Sequence, residues 1–172
     1  MIFSLNTVLK PIALKVIYEN KPVSYSWGDI DALHKWIESM NKKQINTSLG
    51  VAGGRKYPLI WLVENWKGKE KNPGMEFTNV NFHIAINSKI ETLNESRIEK
   101  FETLYEVGND FIKELKKISR IEENNISYFE KANFNTVGNS AEKKSYTSDI
   151  WDVIILNMDL HIVNLNNCFI NN

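Results

Sequence analysis

The chain is expected to fold as an α+β domain, built on a mainly antiparallel four-stranded sheet in ββαββ order. A long amphipathic helix packs one face of that sheet, and N-terminal helices precede it. Three observations predict this. In residues 77–88, Val80, Phe82, Ile84 and Ile86 alternate with Asn79, Asn81, His83, Ala85 and Asn87, and successive strand side chains point to opposite faces. The result is a strand with one apolar face and one polar, nearly uncharged face. Residues 154–162 repeat the code, with Ile154, Leu156, Met158, Leu160 and Ile162 set against Ile155, Asn157, Asp159 and His161. Between the two strands, Ser96-Arg97-Ile98-Glu99 has the form of a capping box. It opens a stripe of Ile98, Phe101, Leu104, Tyr105, Phe111, Ile112 and Leu115, opposite Glu99, Lys100, Glu102, Glu106, Lys113 and Glu114, which predicts a helix over about 97–117. One face of the sheet therefore lies under helix. The other is left for water or a partner.

The elements follow in order. Ile2, Leu5, Leu9, Ile12 and Val16 recur at helical spacing, and Pro11 removes an amide from the middle of that stripe, so a kinked or interrupted helix is expected. Ser26 with Asp29 three residues on reads as a second capping box, opening a helix with Ile30, Leu33, Ile37 and Met40 on its apolar face and ending near Lys42 or Lys43. The glycines of 50–56 lack the spacing of a phosphate loop and lead toward a strand rather than a helix. Tyr57 to Val63 is a dense apolar run with Pro58 near its start, read as a strand pairing with 77–88. Their connection, 64–76, is far longer than a tight hairpin turn and carries Lys67, Lys69, Glu70 and Lys71 with Trp66 at its mouth, so it reads as a projecting contact loop. Residues 126–134 form a weaker strand, 135–148 a polar loop, and 150–163 the last strand. The whole is one domain: 1–45 mainly helical, 57–163 the sheet and helix core, 164–172 a tail.

Composition narrows the function. Twenty-one basic residues balance twenty-one acidic ones, so the basic footprint of a phosphate-backbone grip is missing and sequence-specific nucleic acid is not an expected partner. A lone cysteine, Cys168, rules out an intrachain disulfide and a zinc site built on paired cysteines. The apolar stretch Met1 to Ile17 is broken by Asn6, Lys10 and Pro11 and reads as folded protein rather than a signal peptide. No run approaches the ~20 apolar residues that span a bilayer.

Little of the sequence points to catalysis. His83, His161 and Asp159 fall on the polar faces of strands, where a small metal-dependent hydrolytic enzyme could draw on them, but a metal site needs a full ligand set. His34 reads as a packing histidine, Cys168 as inert, and no serine stands in a G-x-S-x-G or S-x-x-K setting. Asp149 and Asp152 read as solvated charges at a strand start. Neither cofactor nor metal is expected. Trp66, beside the charged loop, reads as an aromatic anchor for a partner.

Taken together, the YPLIWL strand, the long loop, the TNVNFHIAI strand, the amphipathic helix and the terminal DIWDVIILNMDLHI strand resemble the tail terminator and neck, or head-tail joining, proteins of long-tailed bacteriophages. The resemblance covers about 57–162. It implies a non-enzymatic virion protein, assembled in the host cytoplasm, that forms a homo-oligomeric ring, hexameric in the usual case, at the head-proximal end of the tail. Such a ring stops tube growth and receives the head. The implied partners are further copies of the chain, the tail tube protein and the head-tail connector proteins, with no membrane and with DNA passing through the lumen. Another connector or tail completion protein is the alternative within the class. The resemblance also implies an interface: Asn79, Asn81, His83, Asn157, Asp159 and His161 on the ring-forming sheet, Trp66, Lys67, Lys69, Glu70 and Lys71 on one docking loop, and 135–148 as a second.

Overall fold

A computed structural model describes residues 4–48, 56–88, 94–120, 126–135 and 150–163. Helix α1 (Leu5–Ala13) is followed by the short strands β1 (Ile17–Tyr18) and β2 (Lys21–Pro22), then β3 (Ser24–Gly28), helix α2 (Ile30–Ser48) and β4 (Leu59–Val63). Next come β5 (Lys67–Glu70), β6 (Met75–Ser88), helix α3 (Asn94–Lys116), β7 (Ser119–Arg120), β8 (Ser127–Asn135) and β9 (Ile150–Ile162). β1 and β2 form a small hairpin; the other seven strands form one mixed, curled sheet, a half-barrel, with a path β3-β4-β6-β9-β7, β5 on β6 and β8 on β9. The expected four-stranded antiparallel ββαββ sheet is therefore corrected. Seven strands replace four, and one pair, β3 with β4, is parallel.

The parallel pair explains the main difference. Two parallel strands need a crossover between them, usually a helix, and α2 is that crossover. Ser24 to Gly28, expected as the lead-in to a helix, is a strand that alternates small polar and aromatic residues. The cap is Asp29 rather than Ser26: its Oδ1 accepts the Ala32 amide at 2.8 Å. Gly28 makes the sharp turn between strand and helix at φ +134, where an added Cβ would stand 2.5 Å from that of Ala32.

α2 lies on the sheet face opposite α1 and α3, so both faces carry a core. On the first, Leu5, Val8, Leu9 and Ile12 of α1 and Leu104, Phe111 and Leu115 of α3 pack on Leu62, Phe82, Ile84 and Leu156, with Phe82 and Phe111 edge to face at 5.0 Å. On the second, Leu33 and Ile37 of α2 cover Leu59, Trp61, Ala85, Trp151, Val153 and Ile155. The expectation of one uncovered face holds only toward the far end of β6 and β9. α1 runs through Pro11 and ends two residues later, and α3 begins two residues before the expected Ser96.

The connection 64–76 does not project. It folds back as β5, antiparallel to the start of β6, with Lys67 opposite Thr78 and Glu70 opposite Met75, and Trp66 packs against the main core instead of standing exposed. β6 contains a bulge between Phe77 and Val80, where Asn79 sits at φ +58. The other expected docking loop, 135–148, lies outside the described residues except at Asn135, as do residues 50–55 and the tail with Cys168.

Candidate functional site

The expected interface residues fall into three settings. The first is an open cleft of about 470 Å³ at the tip of the β5–β6 hairpin, lined by Lys71, Pro73, Glu76, Arg120, Asp159 and His161. Lys69 and Lys71 each reach Glu76, at 2.6 Å. Their hydrogen bonds hold its carboxyl down at about 2, against an ordinary value of 4.5, and raise the Lys69 ammonium in return. Nε2 of His161 lies 2.8 Å from the Pro73 carbonyl. Lys67 and Glu70 are exposed on β5.

The second is an amide ladder across β6 and β9. Asn157 Nδ2 donates to Asn81 Oδ1 at 2.7 Å and to Asn79 Oδ1 at 3.2 Å. Asn81 Nδ2 in turn donates to Asn65 Oδ1 at 3.3 Å and to the Asn79 carbonyl at 3.2 Å, while Asp159 Oδ1 accepts the Asn79 amide at 2.8 Å. This last bond supports the positive φ, a conformation asparagine tolerates better than most residues. Four of the predicted interface residues, Asn79, Asn81, Asn157 and Asp159, are thus tied together, with Asn65 as a fifth that sequence reading did not single out.

His83 belongs to neither group. It is opposite Trp61 on β4 and Ile155 on β9, its ring edge-on to Phe134 at 5.5 Å. Burial, helped by the charge of Lys131, pushes the imidazole down to about 4. Six residues of β9 separate its level from that of His161, roughly 20 Å along a strand. His83, His161 and Asp159 therefore do not share a site, and among the described residues no group of three or more potential ligands gathers for a metal.

Sequence reading missed a buried ionic cluster. Asp152, expected as a solvated charge, is fully buried and accepts the Ser88 hydroxyl at 2.7 Å and the Asn133 amide at 3.2 Å. Arg97 Nε and Lys100 Nζ approach it at 3.7 and 3.9 Å, and Lys100 also donates to Ser88 Oγ at 3.3 Å. The signal was present: a carboxylate inside the run Ile150 to Leu156 must be paired if that run is buried on both faces. Ser88 is itself buried and its hydroxyl is committed to the carboxylate, so the cluster joins β6, β9, β8 and α3 rather than presenting a nucleophile. A second hollow, about 360 Å³, lies between α3 and β8 beside Tyr105, Ile112, Ile126 and Tyr128. The Tyr105 hydroxyl donates to Glu130 at 2.7 Å, which pushes its pKa up to about 12.

In comparisons with known proteins, no family model, no curated protein and no solved structure matches the chain.

Proposed function

We propose that the chain is a structural subunit of a phage neck, a tail terminator that forms a ring and joins tail to head. The observation that carries this reading is the amide ladder. Its members spend their hydrogen bonds on one another instead of converging on a point where a substrate atom could sit, so the surface is ordered in advance. Pre-ordering lowers the side-chain entropy lost when another surface docks. The ladder is nearly neutral, while the adjoining hairpin tip carries Lys69, Lys71 and Glu76 in a fixed arrangement that can set orientation. A neutral platform with a charged end suits a subunit that must seat a tail tube protein on one side and a connector on the other. An arrangement built to hold a reacting group would look different.

The test uses a phage lacking the gene, supplied with the protein or with an Asn81→Ala/Asn157→Ala/Lys69→Glu/Lys71→Glu variant. Parent protein should restore joined particles and locate at the neck by immunogold labelling. The folded variant should leave full heads and finished tails apart. Joined particles at normal yield with the variant, or parent protein absent from purified virions, would refute the assignment. Labelling at the connector instead would favour the alternative role within the same class.

A further inference from the structure

Seven large hydrophobic side chains are exposed among the described residues: Leu14, Ile17, Trp27, Ile30, Ile98, Tyr128 and Phe129. They are not scattered. Trp27 lies in β3 and Ile30 just after it, while Ile17 lies in the hairpin that leads into β3, where the Val23 amide donates to the Val16 carbonyl at 3.0 Å. Leu14 immediately precedes that hairpin. Tyr128 and Phe129 lie in β8, and Ile98 follows Arg97, whose guanidinium donates to Asn133 of the same strand at 3.2 Å. β3 and β8 are lateral edges of the sheet, one on each side, as are the shorter β5 and β7, each paired with one strand among the described residues.

We infer that the ring closes by pairing β3 of one copy with β8 of the next; this rests on the ring-forming role proposed above. Direction supports it. β3 and β4 run together, and each of the steps from β4 to β6, β6 to β9 and β9 to β8 reverses, so β3 and β8 are antiparallel within a subunit. A neighbour that continues the sheet, turned about an axis near the strand direction, therefore brings its β3 antiparallel to β8, which allows a normal ladder. Length agrees as well: β3 has five residues, and β8 has five before its bulge, Ser127 to Lys131. These side chains are 39–60% exposed, so each edge offers roughly 350 Å², and full cover of both at one joint removes roughly 700 Å² before backbone is counted, about half of a standard interface. Two different edges meeting head to tail make a heterologous contact, which builds a ring where the rotation closes and never a twofold dimer.

The inference is tested with Trp27→Glu and Phe129→Glu, one charge on each edge. Each variant, folded by circular dichroism, should be a monomer by analytical ultracentrifugation where the parent forms rings. Mixed, they should give one-to-one dimers and nothing larger, since only one intact β3 and one intact β8 remain to meet. Should either glutamate prevent folding, the pair Ser26→Cys/Phe129→Cys in a Cys168→Ser background serves instead. Mild oxidation should then give a ladder extending past the dimer, and Phe129→Cys alone should give no cross-link. Parent rings combined with a mixture that stays monomeric, or with Phe129→Cys dimers, would overturn the edge pairing while leaving the ring intact. A parent that is monomeric at every concentration would overturn the ring and the pairing together.

Discussion

The two halves of β9 obey different rules. From Trp151 to Leu156 every side chain is buried, on both faces; from Asn157 to Ile162 burial alternates, with Met158, Leu160 and Ile162 inward and Asp159 exposed. The same strand is a central strand between two layers at one end and a half-solvated strand at the other. The difference lies in what stands over the second face. α2 covers the first half with Leu33 and Ile37, and the amide ladder replaces it over the second. Alternation is thus a report on local cover, not on the whole sheet.

The strongest way to break this comparison is to attack each layer in turn. Ile84→Asp places a charge in the main core at a fully buried position and should abolish folding, read as loss of the far-ultraviolet dichroism of the parent. Phe82→Ala, which removes the ring packed on Phe111, should cost about 3–5 kcal/mol in urea unfolding. Ile37→Ala should cost about 2–5 kcal/mol if α2 forms a true second core. A loss below about 1 kcal/mol, the scale of an ordinary surface change, would return that face to solvent and sink the two-layer description.

Acid should sharpen the contrast. His83 sits under the second layer with its pKa lowered from 6.5 to about 4, so the unfolded chain binds the proton more readily than the native one. The stability that depends on neutral His83 is complete above pH 6.5 and is lost as pH falls toward 4, by up to ~3 kcal/mol before other groups are considered. His83→Gln should flatten the slope between these values. An unchanged slope would mean the imidazole is open to water.

Smaller effects belong to the open end. Gly74 has φ +103, and an added Cβ would come within 1.9 Å of the Ile162 carbonyl. Gly74→Ala should therefore cost about 2 kcal/mol and loosen the hairpin tip, seen as faster amide exchange in β5. Asn157→Ala, which removes a pair of ladder hydrogen bonds at a half-exposed position, should cost only about 1 kcal/mol.

β6, β9 and α3 were legible because their periodicity is carried by large apolar residues over ten or more positions. That Asn79, Asn81, Asn157 and Asp159 share one face of the sheet was legible for the same reason, but the group implied by the resemblance also held His83 and His161, which lie in other settings. β5 was not, since Lys67-Gly68-Lys69-Glu70 is exposed throughout and exists only through its pairing with β6. β3 was hidden because Ser26 and Asp29 imitate a capping box, and spacing alone does not say which residue caps. Asp152 was misread because a carboxylate beside a strand start is usually solvated; its partners, Ser88, Arg97, Lys100 and Asn133, come from segments distant in sequence. His83 stands on the face that alternation gives it, but the Phe134 ring set edge-on to it lies about fifty positions away.

The bulge at Thr78 and Asn79 has a consequence for how the chain can change length. Before it, Met75 and Phe77 face the core; after it, Val80, Phe82 and Ile84 do, so the inward positions pass from odd to even numbers. The bulge works as a phase shifter between the hairpin and the body of the sheet. Deleting Thr78 or Asn79 would remove the bulge and leave Phe77 and Val80 as successive inward positions opposite Leu160 and Met158. Deleting one residue on the hairpin side of Phe77 would instead turn Met75 toward water, whereas adding matched pairs there would extend the hairpin without disturbing the core. The reach of the β5–β6 tip is therefore adjustable only in two-residue steps, each about 7 Å long.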